Sequence, residues 1–251
     1  MTDLVYKQHF VAFFDILGFS EIVSADMTDE EAIEQIELLN GALTACRQMF
    51  SRQWSWEEDA FTVSMFSDCV CVAIPARWEN LDAFFQIIAY LQSHFAVNGI
   101  AIRGAVTVGR YYSNDQLIFS SALVEAYKIE SAKTTPPCIV VSPKLQQHID
   151  KQRPKMNKRY AVTLDYYRRG YVFHDTDGVM FIDYLNFMPA ADDNGEKLRL
   201  HRDWIAGNLA KFVGVESVHK KYRWLRDYHN RWCTEFESGW RDHQSLLIPN
   251  V

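Results

Sequence analysis

The chain has 251 residues, of which 48% are hydrophobic, 14% aromatic and 23% charged. That composition excludes extended disorder and allows a sizeable core. A net charge of −6 argues against a general nucleic-acid binder, which needs a positive field to displace counterions. No apolar run approaches a membrane span and no basic leader opens the chain, so a cytoplasmic protein without a membrane partner is expected.

The first segment, HFVAFFDILGFS from His9 to Ser20, reads as a buried strand that ends on Asp15 and turns at Gly18. Thr28-Asp29-Glu30-Glu31 has the form of a capping box. The helix behind it carries Ile33, Ile36, Leu39, Leu43, Cys46 and Phe50 as one buried stripe. Phe61 to Phe66 and Cys69 to Ile74 form a hairpin about Ser67-Asp68, and Pro75 ends its second strand. Leu81, Phe84, Phe85, Ile88, Leu91 and Phe95 mark a second amphipathic helix, stopped at Asn98-Gly99, and Ile100 to Val108 is a fourth strand. The order strand, helix, strand, strand, helix, strand predicts an α+β, ferredoxin-like βαββαβ core. Its helices are expected on one face of an open antiparallel sheet.

A polar loop over Arg110 to Gln116 precedes a helix from about Ser120 to Ala132, with Ser120 or Ser121 as N-cap. Pro136-Pro137 ends that unit. Cys138 to Val141 follows as a strand and Lys144 to Asp150 as a short helix. Ala161 to Leu164, Gly170 to Phe173 and Val179 to Tyr184 read as added strands, the last two joined through Asp175-Thr176-Asp177-Gly178. From about Asp192 the pattern is helical. Val218, Tyr222, Leu225, Tyr228, Trp232, Phe236 and Trp240 lie on one face, and Lys220, Lys221, Arg223, Arg226 and Arg231 form a solvated basic face.

A carboxylate at the end of a buried strand must be hydrogen-bonded or meet a cation. Asp15 is such a residue. Asp15 and Asp68 each have a plainer reading as turn residues, but if the first strand lies between the hairpin strands the two carboxylates meet at the sheet edge. Two carboxylates about 4 Å apart repel by roughly 4 kcal/mol at an effective dielectric of 20, which implies a divalent cation or a shared proton. Arg103 is either an ion-pair partner or a phosphate contact, and Glu130 is its expected partner. Tyr127 either contacts a ligand or lies in the core. Cys69 and Cys71 share a strand face and read as small core residues; no zinc spacing occurs among the five cysteines and no ligand spacing among the eight histidines.

FFDILGFS resembles the first metal-binding strand of class III nucleotidyl cyclases, and FSDCVCVAI resembles their second metal-binding hairpin, with Ser67 where a Gly is usual. IRGAVTVGRYYSNDQLIFSSALVEAYKIESA, from Ile102 to Ala132, is similar to that family's strand, variable loop and following helix. The resemblance covers roughly Phe10 to Ser142. Within the family, IRGAVTVG and ALVEAYKIESA look most like the Pycsar antiphage pyrimidine cyclases.

The resemblance implies a catalytic domain over residues 1–190 with a C-terminal helical extension over 191–251. It implies two divalent cations, Mg2+ or Mn2+, held by Asp15, Asp68 and the backbone of Ile16, and a substrate lying against Phe19, Ser20, Ser64, Leu117 and Tyr127. Lys128 falls where the family carries a transition-state Arg, and Val124 where it carries the partner Asn. Ser64 and Leu117 replace the Lys and Asp that read adenine, so UTP, then CTP, is the expected substrate. Arg103 joins Asp15, Asp68 and Lys128 as an expected catalytic residue. The resemblance further implies a homodimer with composite sites and a separate effector activated by the cyclic nucleotide. A catalytically inactive sensor module and a purine cyclase are the alternatives.

Overall fold

The structure is a computed structural model; it describes residues 6–23, 27–53, 61–132, 136–152, 172–174, 178–188, 195–236 and 243–249. Strand β1 (Lys7–Ile16) is central, and a single turn, α1 (Phe19–Ile22), and a long helix, α2 (Asp29–Gln53), follow it. Strands β2 (Thr62–Phe66) and β3 (Cys69–Pro75), helix α3 (Trp78–Val97) and strand β4 (Ile102–Ser113) complete the βαββαβ unit. The remainder comprises β5 (Ile118–Ser120), α4 (Ser121–Glu130), β6 (Ile139–Val141), α5 (Pro143–Gln152), β7 (Val172–His174), β8 (Met180–Ile182), α6 (Glu196–Lys211) and α7 (Glu216–Phe236). Short 3-10 turns occupy Tyr184–Phe187 and His243–Leu246.

The sheet runs β2-β3-β1-β4-β6-β8-β7, with β5 paired to β4 beside this path. Its first four strands are antiparallel and in the ferredoxin-like order. Strand β1 does not lie between the two hairpin strands. It lies between β3 and β4, and β2 pairs only with the far side of β3, because each split βαβ crossover leaves one vacant position for an inner strand. Beyond β4 the sheet is mixed, since β6 pairs with β4 in parallel.

Both faces of the sheet are covered, where helices on one face alone were expected. Phe10, Ala12, Phe14 and Ile16 enter the main core with Phe84, Phe85 and Ile88 of α3. The alternate side of β1, through Val11, packs with Cys71, Ala73, Tyr111 and Ala122 under α4. A strand buried on both sides reads as a continuous apolar run, and β1 does so. Small residues let α4 approach: Ala122 and Ala126 are fully buried, and a Cβ on Gly109 would lie 3.1 Å from that of Ala122.

The capping box of α2 forms, with Thr28 N–H donating to Glu31 Oε2 (2.8 Å) and Glu31 N–H to Thr28 Oγ1 (3.2 Å). The expected single buried stripe does not. Ile33 and Ile36 are exposed, Leu39 and Leu43 are half-buried, and full burial begins at Ala42 and Cys46, where α2 meets the core. Strand β4 also runs five residues past Val108, since its register with β1 reaches Tyr111 and β5 then pairs back onto it. The expected polar loop shrinks to a turn in which Asn114 Oδ1 accepts from Gln116 N–H and Leu117 N–H. Ser120 caps α4 by accepting from Leu123 N–H at 3.0 Å.

At the C-terminal end, Leu225, Tyr228 and Trp232 of α7 are buried, and Tyr228 and Trp232 belong to the same core as β1 and α3. Ile248 is clipped onto α7, where Asn230 Nδ2 donates to Ile248 O and Ile248 N–H donates to Asn230 Oδ1, both at 2.8 Å. The basic face carries ion pairs within the helix, Arg223–Glu216 and Arg231–Glu235. The expected strand over residues 161–164, turn residues 175–177 and Trp240 lie outside the described residues, as does the side chain of Phe50. Among the described residues no helix is long and apolar enough to cross a membrane.

Candidate active site

Strand register places three polar residues in one row across the sheet. Asp15 of β1 pairs with Cys69 of β3 on one side and with Arg103 of β4 on the other. All three fall on the α4 side, because β1 alternates and Phe14 and Ile16 face the main core. Asp68 sits in the β2–β3 turn, and its carbonyl accepts from Ile16 N–H at 2.9 Å, which ties the turn to the end of β1. Gly104 permits the row: a Cβ there would lie 2.2 Å from Phe13 O, so only glycine lets β4 approach β1 this closely. The turn itself is strained at Ser67, whose φ of 54° is left-handed, the conformation a glycine would take without cost.

Arg103 Nη2 donates to Asp15 Oδ2 at 3.2 Å. Its Nε and Nη2 both donate to Oε1 of Glu130, from the last turn of α4, at 3.0 and 2.5 Å. Asp15 Oδ1 is buried and accepts no hydrogen bond. Burial pushes the Asp15 carboxyl up to about 6; the Arg103 guanidinium opposes this, while the charges of Glu130 and Asp68 add to it. The carboxyl is thus raised chiefly by its removal from water, with acidic neighbours on one side and one guanidinium on the other.

Cys69 is half-buried, not a core residue, because β3 leaves the sheet interior where it meets the turn; its Sγ donates to Asp68 Oδ1 at 3.4 Å. Burial first, then the hydrogen bond to Asp68 and the charges of Asp68, Asp15 and Glu130, push its thiol up to about 12. The side-chain donors of Asp15 and Asp68 are carboxylate oxygens, which suit Mg2+ or Mn2+. The unbonded, buried Oδ1 of Asp15 fits a hard cation. Among the described residues no three His, Cys, Asp or Glu side chains are grouped to hold a metal, so the two carboxylates would need further oxygens from a ligand such as a phosphate.

The row brings together Asp15, Arg103, Glu130 and, through the turn, Ile16 and Asp68. Phe19 is half-buried against the core at the start of α1, and Ser20 is exposed, donating to Glu21 Oε2. Ser64 is exposed on β2, and Leu117 is exposed in the β4–β5 turn. Val124, Tyr127 and Lys128 lie exposed on α4, with the Tyr127 ring set edge-on to Phe13, 5.8 Å between centroids. Among the described contacts none joins Ser64, Leu117, Tyr127 or Lys128 to the carboxylates of Asp15 or Asp68. Sequence reasoning missed the place of Cys69 and the bond from Arg103 to Asp15. The adjacency of Cys69 to Asp68 was a signal for the first; the second depends on strand order.

No family model and no curated protein matches the chain. Solved structures with a similar chain course are class III adenylyl and guanylyl cyclase domains. The monomeric guanylyl cyclase domain of the RhoGC fusion protein from Blastocladiella emersonii has a TM-score of 0.43 at 14% identity, over 70% of this chain and 94% of that one. The guanylate cyclase domain of RhGC from Catenaria anguillulae, solved with GTP, has a TM-score of 0.43 at 16% identity, over 59% and 84%. The adenylyl cyclase CyaB from P. aeruginosa has a TM-score of 0.41 at 20% identity, over 59% and 82%. At TM-scores below 0.5 these likenesses decide nothing about this chain's chemistry.

Proposed function

We propose that the protein is a nucleotide cyclase that forms a 3′,5′-cyclic nucleotide and pyrophosphate from a nucleoside triphosphate. The observation that carries this reading is the buried, unbonded Oδ1 of Asp15 at the end of a strand tied by a backbone bond to Asp68. Asp15 and Asp68, with the Ile16 carbonyl, would hold two divalent cations together with the triphosphate. Divalent ions so bound supply Lewis acidity, favouring the ribose 3′-oxyanion and balancing charge on the leaving pyrophosphate. In the reaction the O3′–Pα bond forms, the bond from Pα to the bridging oxygen breaks, and the 3′-hydroxyl proton is lost.

The remaining parts of the reading follow the resemblance. Lys128 and Tyr127 stand exposed on α4, which suits side chains that serve the site of a second copy, as in a homodimer with two composite sites. Ser64 and Leu117 offer no charged partner for adenine, which supports UTP, then CTP, as substrate; an antiphage signal read by a separate effector rests on the resemblance alone. Lys retains charge at position 128 but lacks the fork of an Arg.

The test is to incubate the protein with each of the four ribonucleoside triphosphates and Mn2+ and to identify the products. Cyclic UMP as the main species is expected. Cyclic AMP or cyclic GMP as the main species would refute the pyrimidine preference, and no cyclic product from any triphosphate would refute the cyclase.

A further inference from the structure

The guanidinium of Arg103 is divided unequally between two carboxylates. An Arg facing an Asp in register across adjacent strands has the fork geometry to close on both oxygens. Here it does not. Nε and Nη2 both go to Glu130, and only the 3.2 Å contact from Nη2 reaches Asp15, at Oδ2. Glu130 is 5% exposed and is the last residue of α4, where the helix dipole disfavours a negative charge. Its hydrogen bonds there go to Arg103, and their visible effect is to draw the guanidinium aside.

We propose that Glu130 is a positioning residue: by claiming Arg103 it keeps the guanidinium off Asp15 Oδ1 and leaves that oxygen open to a divalent cation. The inference rests on the two-carboxylate reading above and concerns regulation of cation access to that site. Asp15 and Glu130 then share a single guanidinium while the charge of Asp68 also acts on Asp15, and carboxylates in excess of cationic partners suit a divalent ion. Without Glu130, Arg103 would take both oxygens of Asp15 and act as a built-in competitor of the metal.

The experiment measures Mn2+ binding to the nucleotide-free full chain by calorimetry, for wild type, Glu130→Gln, Arg103→Gln and the double variant. Glu130→Gln is expected to weaken Mn2+ binding at least tenfold, while Arg103→Gln binds at least as tightly as wild type. In the Arg103→Gln background, the Glu130→Gln change is expected to cost less than threefold, because no guanidinium remains to close on Asp15. Equal weakening in both backgrounds would mean that Glu130 acts through its charge alone and would overturn the proposal, as would no effect in either. Should Glu130→Gln fail to fold, Arg103→Gln decides: weaker Mn2+ binding in that variant overturns it. Wild-type protein that binds no Mn2+, or binds it independently of Asp68, overturns the two-carboxylate reading and this inference with it.

Discussion

His201 and His229 face each other Nδ1 to Nδ1 at 2.9 Å, both fully buried between α6 and α7. A carbonyl only accepts, so His229 Nε2, 2.9 Å from Leu246 O, carries its proton and the ring accepts at Nδ1. His201 therefore donates from Nδ1 and accepts at Nε2 from the Tyr184 hydroxyl, 3.0 Å away. Every member of this chain is satisfied when both rings are neutral. A proton added to His229 would set two N–H groups head to head.

Acid should therefore loosen the C-terminal helices. Burial holds His201 well below its ordinary value, and it lowers His229 to about 4, with the Leu246 bond opposing and the Arg202 charge assisting. A folded-state value below the unfolded 6.5 means that stability is full above pH 6.5 and is lost as pH falls toward 4. The loss approaches about 1.4 kcal/mol per pH unit for each ring. Between pH 7.5 and 5 thermal melts of His229→Gln should lose less stability on acidification than wild type, the raised carboxyls being common to both proteins; the same pH dependence in both would contradict the assignment.

Asp15 carries the opposite sign. Its folded-state value of about 6 exceeds the unfolded 3.8, so its neutral form favours the fold and stability is lost as pH rises through 6. Metal-free Asp15→Asn should thus melt above wild type at pH 8 and with wild type at pH 4. Added Mn2+ should raise the melting temperature of wild type but not of the variant.

Ser67 holds a left-handed φ that costs an L-residue roughly 1–2 kcal/mol, partly offset by the unfolded-state entropy a glycine adds. Ser67→Gly should accordingly stabilise the protein by about 0.5–1 kcal/mol in urea unfolding. A destabilised variant would show that the hydroxyl makes a contact worth more than the strain.

Gly104→Ala should disrupt the site from within the sheet. The added methyl would meet the Phe13 carbonyl and Phe14 backbone of β1, neither of which can swing away. The variant should either fail to accumulate as folded protein or lose Mn2+ binding along with melting temperature; wild-type values for both would contradict the close approach of β4 to β1.

Asp15→Ala and Asp68→Ala should each reduce cyclase turnover by more than about 100-fold, beyond the loss typical of residues that only orient a metal ligand. Both should keep the wild-type circular dichroism spectrum. Mixing Asp68→Ala with Lys128→Ala should restore part of the activity if the two residues serve one site from two chains. Exchange of subunits without recovery would place both halves on one chain.

Much of the fold was legible because its signals are local. The capping box at Thr28, the apolar stripe of α3 and the stop at Gly99 depend on neighbours three or four residues away, and each appears where the pattern puts it. The partial exposure of Ile33 and Ile36 was not legible, since a helix carries its apolar stripe whether or not its partner extends far enough to cover it. The parallel pairing of β6 with β4 was hidden for a similar reason: a three-residue apolar run does not announce which strand it pairs with or in which direction.

The sequence by itself determined that Asp15 closes a buried strand, that Asp68 occupies a hairpin turn and that Arg103 precedes a glycine, because these are facts of order along one chain. Only the tertiary structure decided that Cys69, Asp15 and Arg103 form one row, that Glu130 draws Arg103 aside and that Oδ1 of Asp15 is left unbonded. The physical reason is register. Hydrogen bonding between distant strands sets which side chains become neighbours, and a shift of one residue in β4 would carry Arg103 to the opposite face.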